Sequence, residues 1–156
     1  MTVVTVKYLE KFTKGAIIPR DLLDRMDDAT LDGRKSIDVP QSLIDKLEEK
    51  LEKYENEERL LNNSVSLSEK GSKLEKEGKI DEAIKVYEKN IESGCYPAAF
   101  SFKRLSVIYR GRKDYDNELR VIERAIEAMP TIIEFIKRKQ KVLNLIQKEN
   151  AKRPLE

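Results

Sequence analysis

Residues 77–92 read EGKIDEAIKVYEKNIE, and residues 112–127 repeat the same pattern as RKDYDNELRVIERAIE. The two stretches align at a spacing of 35 residues, and five of their paired positions are identical. Most of the other pairs exchange residues of similar character. A fixed period of about 20 to 50 residues is typical of stacked repeat proteins, in which one unit cannot bury its apolar face alone. The repeat therefore predicts a binding scaffold.

The composition favours an all-α protein of about one domain. The chain has 156 residues, of which 38% are charged, and it contains few Gly, Pro or aromatic residues and no Trp. Such a balance is typical of helical proteins. The net charge is only +2, so the molecule as a whole has no strong field to attract nucleic acid or an anionic membrane.

The residues that the chain lacks argue against catalysis and against a metal or cofactor site. There is no His, which is the usual general base near neutral pH and the commonest zinc ligand. The single Cys excludes an internal disulfide and a Cys-based zinc site. This residue, Cys95, lies in a predicted turn between Gly94 and Pro97, where we expect a half-buried structural side chain. We predict no catalytic residue, no metal ligand and no cofactor.

The apolar segments predict a cytoplasmic protein that does not enter a membrane. No apolar run approaches the roughly 20 residues that a membrane-spanning helix needs. The first six residues, MTVVTV, lack the basic start and the apolar stretch of a signal peptide.

Residues 1–38 form an amino-terminal segment with two short predicted elements. Val4, Val6 and Tyr8 alternate with polar residues, as in a strand. Pro19 precedes a predicted helix over residues 20–28, and Asp32-Gly33 predicts a turn. We interpret this segment either as a small cap on the repeats or as a fragment of something larger.

Residues 39–63 predict a charged amphipathic helix from Pro40 to about residue 61. Its apolar stripe comprises Ile44, Leu47, Leu51, Tyr54 and Leu61. The stripe is too short to favour a coiled-coil dimer, so we expect it to pack onto the first repeat. We expect Asn62-Asn63 to end this helix.

Residues 64–153 predict a repeat domain. A capping box at Ser66 and Glu69 begins one helix, Gly78 ends it, and a second helix follows. The second copy predicts helices over 99–110 and 115–129. A last helix over 131–150 would cap the repeats with Ile132, Ile136, Leu143 and Ile146 on one face, widened by Ile133, Phe135 and Val142. Residues 155–156 are interpreted as a cloning remnant because of their terminal position.

These helical pairs resemble tetratricopeptide repeats, at about residues 64–97 and 99–130. The resemblance rests on Leu67, Gly71 and Leu74 in the first helix, and on Phe102, Leu105 and Tyr109 in its second copy. Ala83 with Tyr87, and Ala125 with Pro130, match the second helices. The resemblance implies a right-handed solenoid of αα-hairpins, with Gly71 packed against Ala83. It also places Ser106 near Glu118, a carboxylate that would need Ser106 or a nearby Arg as its partner, and it puts Asn90 where a small residue is expected.

The resemblance implies that the first helix of each hairpin lines a concave groove for a partner peptide or helix. The residues on that face are Ser68, Ser72, Glu75, Lys76, Phe100, Lys103, Val107 and Arg110. We therefore expect a non-catalytic adaptor that binds another protein. Because two repeats are fewer than the three usually needed, the flanking helices must complete the core, or the chain must form a homodimer.

Two other functions compete with the adaptor hypothesis. Residues 131–154 hold seven Lys or Arg against two Glu, so Lys137, Arg138, Lys139, Lys141 and Lys148 could contact the phosphates of a nucleic acid. Alternatively, the chain is an accessory fragment of a larger enzyme, with metal held by Asp21, Asp24, Asp27, Asp28 and Asp32. The spacing of these carboxylates matches no calcium loop.

Overall fold

The structure is a computed structural model that describes residues 1–92 and 98–154, and most of these residues are α-helical. The chain divides into two compact units, Met1–Arg59 and Leu60–Glu156. The predicted turn around Cys95 and the interpretation of residues 155–156 lie outside the described residues.

The first unit combines short helices with one antiparallel strand pair. Strand β1 (Thr2–Thr5) pairs with β2 (Ser36–Val39), with Thr2 opposite Val39. Between them lie helix α1 (Val6–Leu9), a 3-10 segment (Glu10–Ala16) and helix α2 (Arg20–Leu31). The amino-terminal part of α3 (Gln41–Lys76) completes the unit.

The predicted strand is shorter than its alternating pattern suggested. It ends at Thr5, because the Thr5 side chain accepts a hydrogen bond from the Tyr8 amide at 3.1 Å and caps α1. Val6 and Tyr8 are therefore helical, and the prediction was wrong for them. The helix expected over 20–28 is confirmed and extends three residues further.

The apolar stripe at the start of α3 lies in the core of the first unit. Ile44, Leu47 and Leu51 are buried with Leu9 and Phe12. For these three residues of the stripe, the expectation of packing onto the first repeat was therefore wrong. Strand β2, which was not predicted, and helix α2 supply the other side of that core.

The expected helix break at Asn62-Asn63 does not occur, and Ser66 is not a helix cap. Both lie inside α3, which runs from Gln41 to Lys76. Asn and Ser each cost only about half a kcal/mol in a helix interior, which tertiary contacts readily offset. One such contact is visible, since the backbone oxygen of buried Ser64 accepts a hydrogen bond from Asn90 at 3.1 Å.

The second unit contains two helical hairpins and a final helix. The end of α3 and α4 (Ile80–Glu92) form the first hairpin, and α5 (Ala99–Gly111) and α6 (Tyr115–Ala128) form the second. Helix α7 (Ile133–Lys152) follows. The helices predicted over 99–110, 115–129 and 131–150 are confirmed to within two residues at their ends. The helix expected to begin at Ser66 is instead the end of α3, which begins at Gln41.

The two hairpin turns have the same backbone geometry at a spacing of 35 residues. Gly78 and Lys113 both adopt a left-handed conformation, with φ of 77° and 58°. The amide of Lys79 donates to the Leu74 carbonyl, and the amide of Asp114 donates to the Tyr109 carbonyl, both at 2.9 Å. Such bonds close a helix end around a left-handed residue. The sequence repeat is thus a repeat in backbone structure.

Helix α7 buries only part of the predicted face. Phe135 and Val142 are buried in the core of the second unit, and Ile132 and Ile146 pack partly against it. Ile133, Ile136 and Leu143 are exposed. The prediction placed the centre of the buried stripe on Ile136 and Leu143, whereas the contact with the core is centred on Phe135 and Val142.

Candidate functional site

The second unit carries a groove formed by α3 and the first turn of α5. Its volume is about 530 Å³, and its lining residues are Val65, Ser68, Glu69, Ser72, Lys73, Lys76 and Phe100. Four of these, Ser68, Ser72, Lys76 and Phe100, belong to the predicted set. We call these seven residues the α3–α5 groove.

The α3–α5 groove has an apolar part and a cationic part. Val65 and Phe100 are each 44% exposed, which is high for large apolar side chains. Lys73 and Lys76 follow in the last turn of α3. Residues at spacings of three and four share one face of a helix, so Val65, Ser72 and Lys76 follow the groove in that order.

A close approach of α3 and α4 positions Phe100. A Cβ atom placed on Gly71 would lie 2.6 Å from Cζ of Tyr87, so only Gly leaves room for the Tyr87 ring. The nearest side chain opposite Gly71 is thus Tyr87, whereas the resemblance implied Ala83. The buried Tyr87 ring in turn meets Phe100 edge-on, with ring centroids 6.2 Å apart.

Glu75 is held inside the second unit and does not line the α3–α5 groove. The Arg104 guanidinium donates to both carboxylate oxygens of Glu75, at 2.6 and 3.0 Å. The Tyr87 hydroxyl donates to the same carboxylate at 2.6 Å. The hydrogen bond from Arg104 keeps the pKa of Glu75 below its usual value. Burial, with the Glu75 hydrogen bond, raises the pKa of Tyr87.

Arg110 likewise has a structural partner. Glu118 is fully buried, and its Oε1 lies 2.7 Å from Nη2 of Arg110. The Nε of Arg110 donates to Oε2 of Glu118 at 3.1 Å. The Ser106 hydroxyl instead donates to the Lys103 carbonyl at 2.8 Å. Of the two partners expected for Glu118, the structure assigns the Arg.

The other two predicted residues of α5 also lie outside the groove. Lys103 forms an ion pair with Glu134 of α7 at 3.3 Å. Val107 is 39% exposed but does not belong to the lining. The structure therefore brings together four predicted residues, Ser68, Ser72, Lys76 and Phe100. It separates from them the other four: Glu75, Lys103, Val107 and Arg110.

A buried polar cluster lies beside the groove and joins three helices. The Asn90 side-chain nitrogen of α4 lies 3.0 Å from the Ser68 hydroxyl of α3 and 2.7 Å from the Ser101 hydroxyl of α5. Asn90 and Ser101 are buried. Asn90 thus has a structural role, since its amide orders the α3 and α5 surfaces that line the groove.

The basic residues of α7 do not form one surface. Arg138 donates to Glu134 at 3.2 Å and to Ser106 at 3.3 Å, and Lys139 pairs with Glu123 at 3.0 Å. Only Lys137, Lys141 and Lys148 of the predicted phosphate-contacting set are exposed without an ion pair to another described residue.

The acidic residues of α2 do not assemble a metal site. No group of three or more potential metal-ligating side chains comes together within residues 1–92 and 98–154. Asp24 forms an ion pair with Arg20, and Asp32 forms one with Arg34.

Sequence reasoning missed Val65, Glu69 and Lys73 as lining residues. The pattern that could have found them is their helical spacing with Ser68, Ser72 and Lys76. The assumed break at Asn62-Asn63 placed Val65 before the helix and hid that relation.

Comparison with known proteins leaves the family open. No protein-family model matches the chain, and no curated protein or solved structure shows a significant match. Among the helices of the described ranges, none combines the length and apolar character that crossing a lipid bilayer requires.

Proposed function

We propose that the second unit is a tetratricopeptide-like module that binds a segment of another protein and performs no chemistry itself. The 35-residue repeat, the matching turns at Gly78 and Lys113 and the small residue at Gly71 support this proposal. In this view α7 caps a short right-handed solenoid of two hairpins.

The observation that carries the proposal is the α3–α5 groove. It is built on two helices of consecutive hairpins, and it exposes Val65 and Phe100. Exposed aromatic and aliphatic side chains within a concave surface are the usual anchors of protein recognition. The Tyr87 ring and the Asn90 cluster hold the groove walls in place before any ligand arrives, which lowers the entropy cost of binding.

The partner segment should carry an apolar side chain followed by a carboxylate. The apolar residue would contact Phe100 and Val65, and the carboxylate would lie near Lys73 and Lys76. Exposed lysines contribute mainly to specificity and association rate, whereas the apolar contact provides most of the affinity.

The test is affinity capture from nuclease-treated lysate of the native cells, comparing the unmodified chain with a Val65→Ser/Phe100→Ala variant. Glu127→Ala, which changes an exposed residue of α6, is the matched control. A protein captured by the unmodified chain and the control but lost with the groove variant would support the proposal. Equal capture by all three would contradict it. Arg110 is kept unchanged, because its loss would leave Glu118 buried without its ion pair.

A further inference from the structure

Helix α7 presents a second surface, opposite to its buried face. Six exposed residues recur there at helical spacing: Ile133, Ile136, Gln140, Leu143, Asn144 and Gln147. We call these six residues the α7 stripe. None of them belongs to the α3–α5 groove.

The α7 stripe is unusual for this chain because it carries no charge. In a sequence with 38% charged residues, a solvated helix face would be expected to contain Lys or Glu at several of these positions. Instead the stripe exposes three aliphatic side chains, with Ile133 64%, Ile136 49% and Leu143 37% exposed. Aliphatic residues interspersed with amides are suited to a surface that another helix covers.

A row of cations borders the stripe on one side. Lys137, Lys141 and Lys148 project next to it at helical spacing, and all three are exposed. No ion pair with another described residue involves them, whereas Arg138 and Lys139, on the side facing the core, are both paired. The row is therefore available to carboxylates that come from outside the chain.

We propose that the α7 stripe docks an amphipathic helix of another protein, whose apolar seam is bordered by Asp or Glu residues. The seam would cover Ile136 and Leu143, and the acidic border would face Lys137, Lys141 and Lys148. The stripe spans about 20 Å of α7, which matches about four turns of a partner helix.

The charges argue against a second copy of this chain as the occupant. The border opposite the lysine row carries Asn150 and Lys139, and Lys139 is paired with Glu123 of α6, so this border offers a second copy no unpaired carboxylate. If two copies packed stripe to stripe with antiparallel α7 helices, the lysine row of one copy would lie next to the lysine row of the other. With parallel α7 helices, each lysine row would lie next to Lys139 of the other copy. Like charges along a helix seam disfavour pairing.

The test is a selection of displayed helical peptides against the full chain, followed by fluorescence-anisotropy titration of the selected peptides. Two libraries share a randomised Ile, Leu, Val and Gln seam and differ only in fixed Glu or fixed Lys borders. We expect binders from the Glu library alone. Ile136→Gln/Leu143→Gln should weaken their binding at least about tenfold, while Phe100→Ala, in the α3–α5 groove, should change it less than about twofold.

Several results would overturn this proposal. They are equal enrichment from the two libraries, no binders from either, or binding that depends on Phe100 and not on Ile136 and Leu143.

A dimer in sedimentation analysis that Ile136→Gln/Leu143→Gln dissociates would assign the stripe to a second copy. Binding of a 20-nucleotide RNA or DNA that is lost in Lys137→Ala/Lys141→Ala/Lys148→Ala and kept in the stripe variant would assign α7 to polyanions. Circular dichroism verifies that each variant is folded, which the exposure of Ile136 and Leu143 leads us to expect.

Discussion

Gly71 of α3 lies directly against the ring of Tyr87 of α4, with no room for a methyl group between them. Tyr87 is fully buried and contacts Phe100 of the α3–α5 groove. The lack of a side chain at Gly71 therefore sets the distance between α3 and α4 and the position of Phe100.

Gly71→Ala should destabilise the protein by about 2–3 kcal/mol, since the added methyl group forces the Tyr87 ring or the helices apart. Gly111→Ala is the matched control, because a Cβ there meets no atom within 4 Å. It should be neutral or stabilise by up to about 1 kcal/mol through better helix propensity. Urea unfolding measures both. Similar free energies of unfolding for the two variants would contradict the assigned contact.

The left-handed residues of the two hairpin turns allow a reciprocal test. Lys113 adopts φ of 58°, which costs a residue with a side chain about 1 kcal/mol relative to Gly. Lys113→Gly should therefore stabilise by about 0.5–1 kcal/mol, and Gly78→Ala should destabilise by about 1 kcal/mol. Chemical unfolding checks both. The same sign for the two changes would show that the turns are not equivalent.

The buried pair Arg110–Glu118 gives a prediction about coupling. Arg110→Ala leaves the Glu118 carboxylate buried without its ion pair and should cost about 2–3 kcal/mol. The repeat places Ala83 at the position of Glu118, so Arg110→Ala/Glu118→Ala should recover most of that loss. A double-mutant cycle in urea measures the coupling. Additive losses would mean that the pair does not interact as the structure has it.

The Glu75 carboxylate should make the free energy of unfolding depend on pH in the acid range. Hydrogen bonding by Arg104 lowers its pKa in the folded protein from the ordinary 4.5. A carboxyl group whose pKa is lowered by folding stabilises the protein at pH values above its pKa in the unfolded chain. That stabilisation is lost as the pH falls through its pKa in the folded protein. Glu75→Gln should thus be less stable than the unmodified chain at pH 7, and the difference should shrink below about pH 4.5.

The measurement for Glu75 is urea unfolding between pH 7 and pH 3, with an NMR titration of its side-chain carboxyl carbon. Glu69→Gln, at an exposed position of the same helix without an ion pair in the described residues, is the control and should change little at any pH. A midpoint of the Glu75 titration at or above 4.5 would contradict the role assigned to Arg104.

The sequence predicted the hairpins well because their determinants are local. Gly78 ends α3 through its own backbone freedom, and the 35-residue period carries the same turn to Lys113 without a Gly. The predicted helix break at Asn62-Asn63 was wrong because it considered only the weak helix propensity of Asn and not the tertiary contact between Asn90 and Ser64. Local preferences of a few tenths of a kcal/mol do not outweigh such contacts.

The candidate site was only half predictable. The resemblance to tetratricopeptide repeats pointed to Phe100 and to Ser68, Ser72 and Lys76, which share one face of α3 because they recur every four residues. It could not show that Glu75 and Arg110 turn inward, because their partners Arg104 and Glu118 become neighbours only when the helices pack. The buried face of α7 was misplaced for a related reason. A helix with apolar residues on two sides leaves the choice of the buried side to its neighbours.

The most direct test of partner binding by the second unit is site-specific photo-crosslinking in native cells, with the photoreactive residue placed at Ser72 in the α3–α5 groove or at Glu127 on α6. We predict that Ser72 captures a discrete partner protein, that Phe100→Ala abolishes this product, and that Glu127 yields none of it. Equal products from the two positions, or a Ser72 product that Phe100→Ala leaves unchanged, would contradict the claim that the second unit binds a protein segment in this groove.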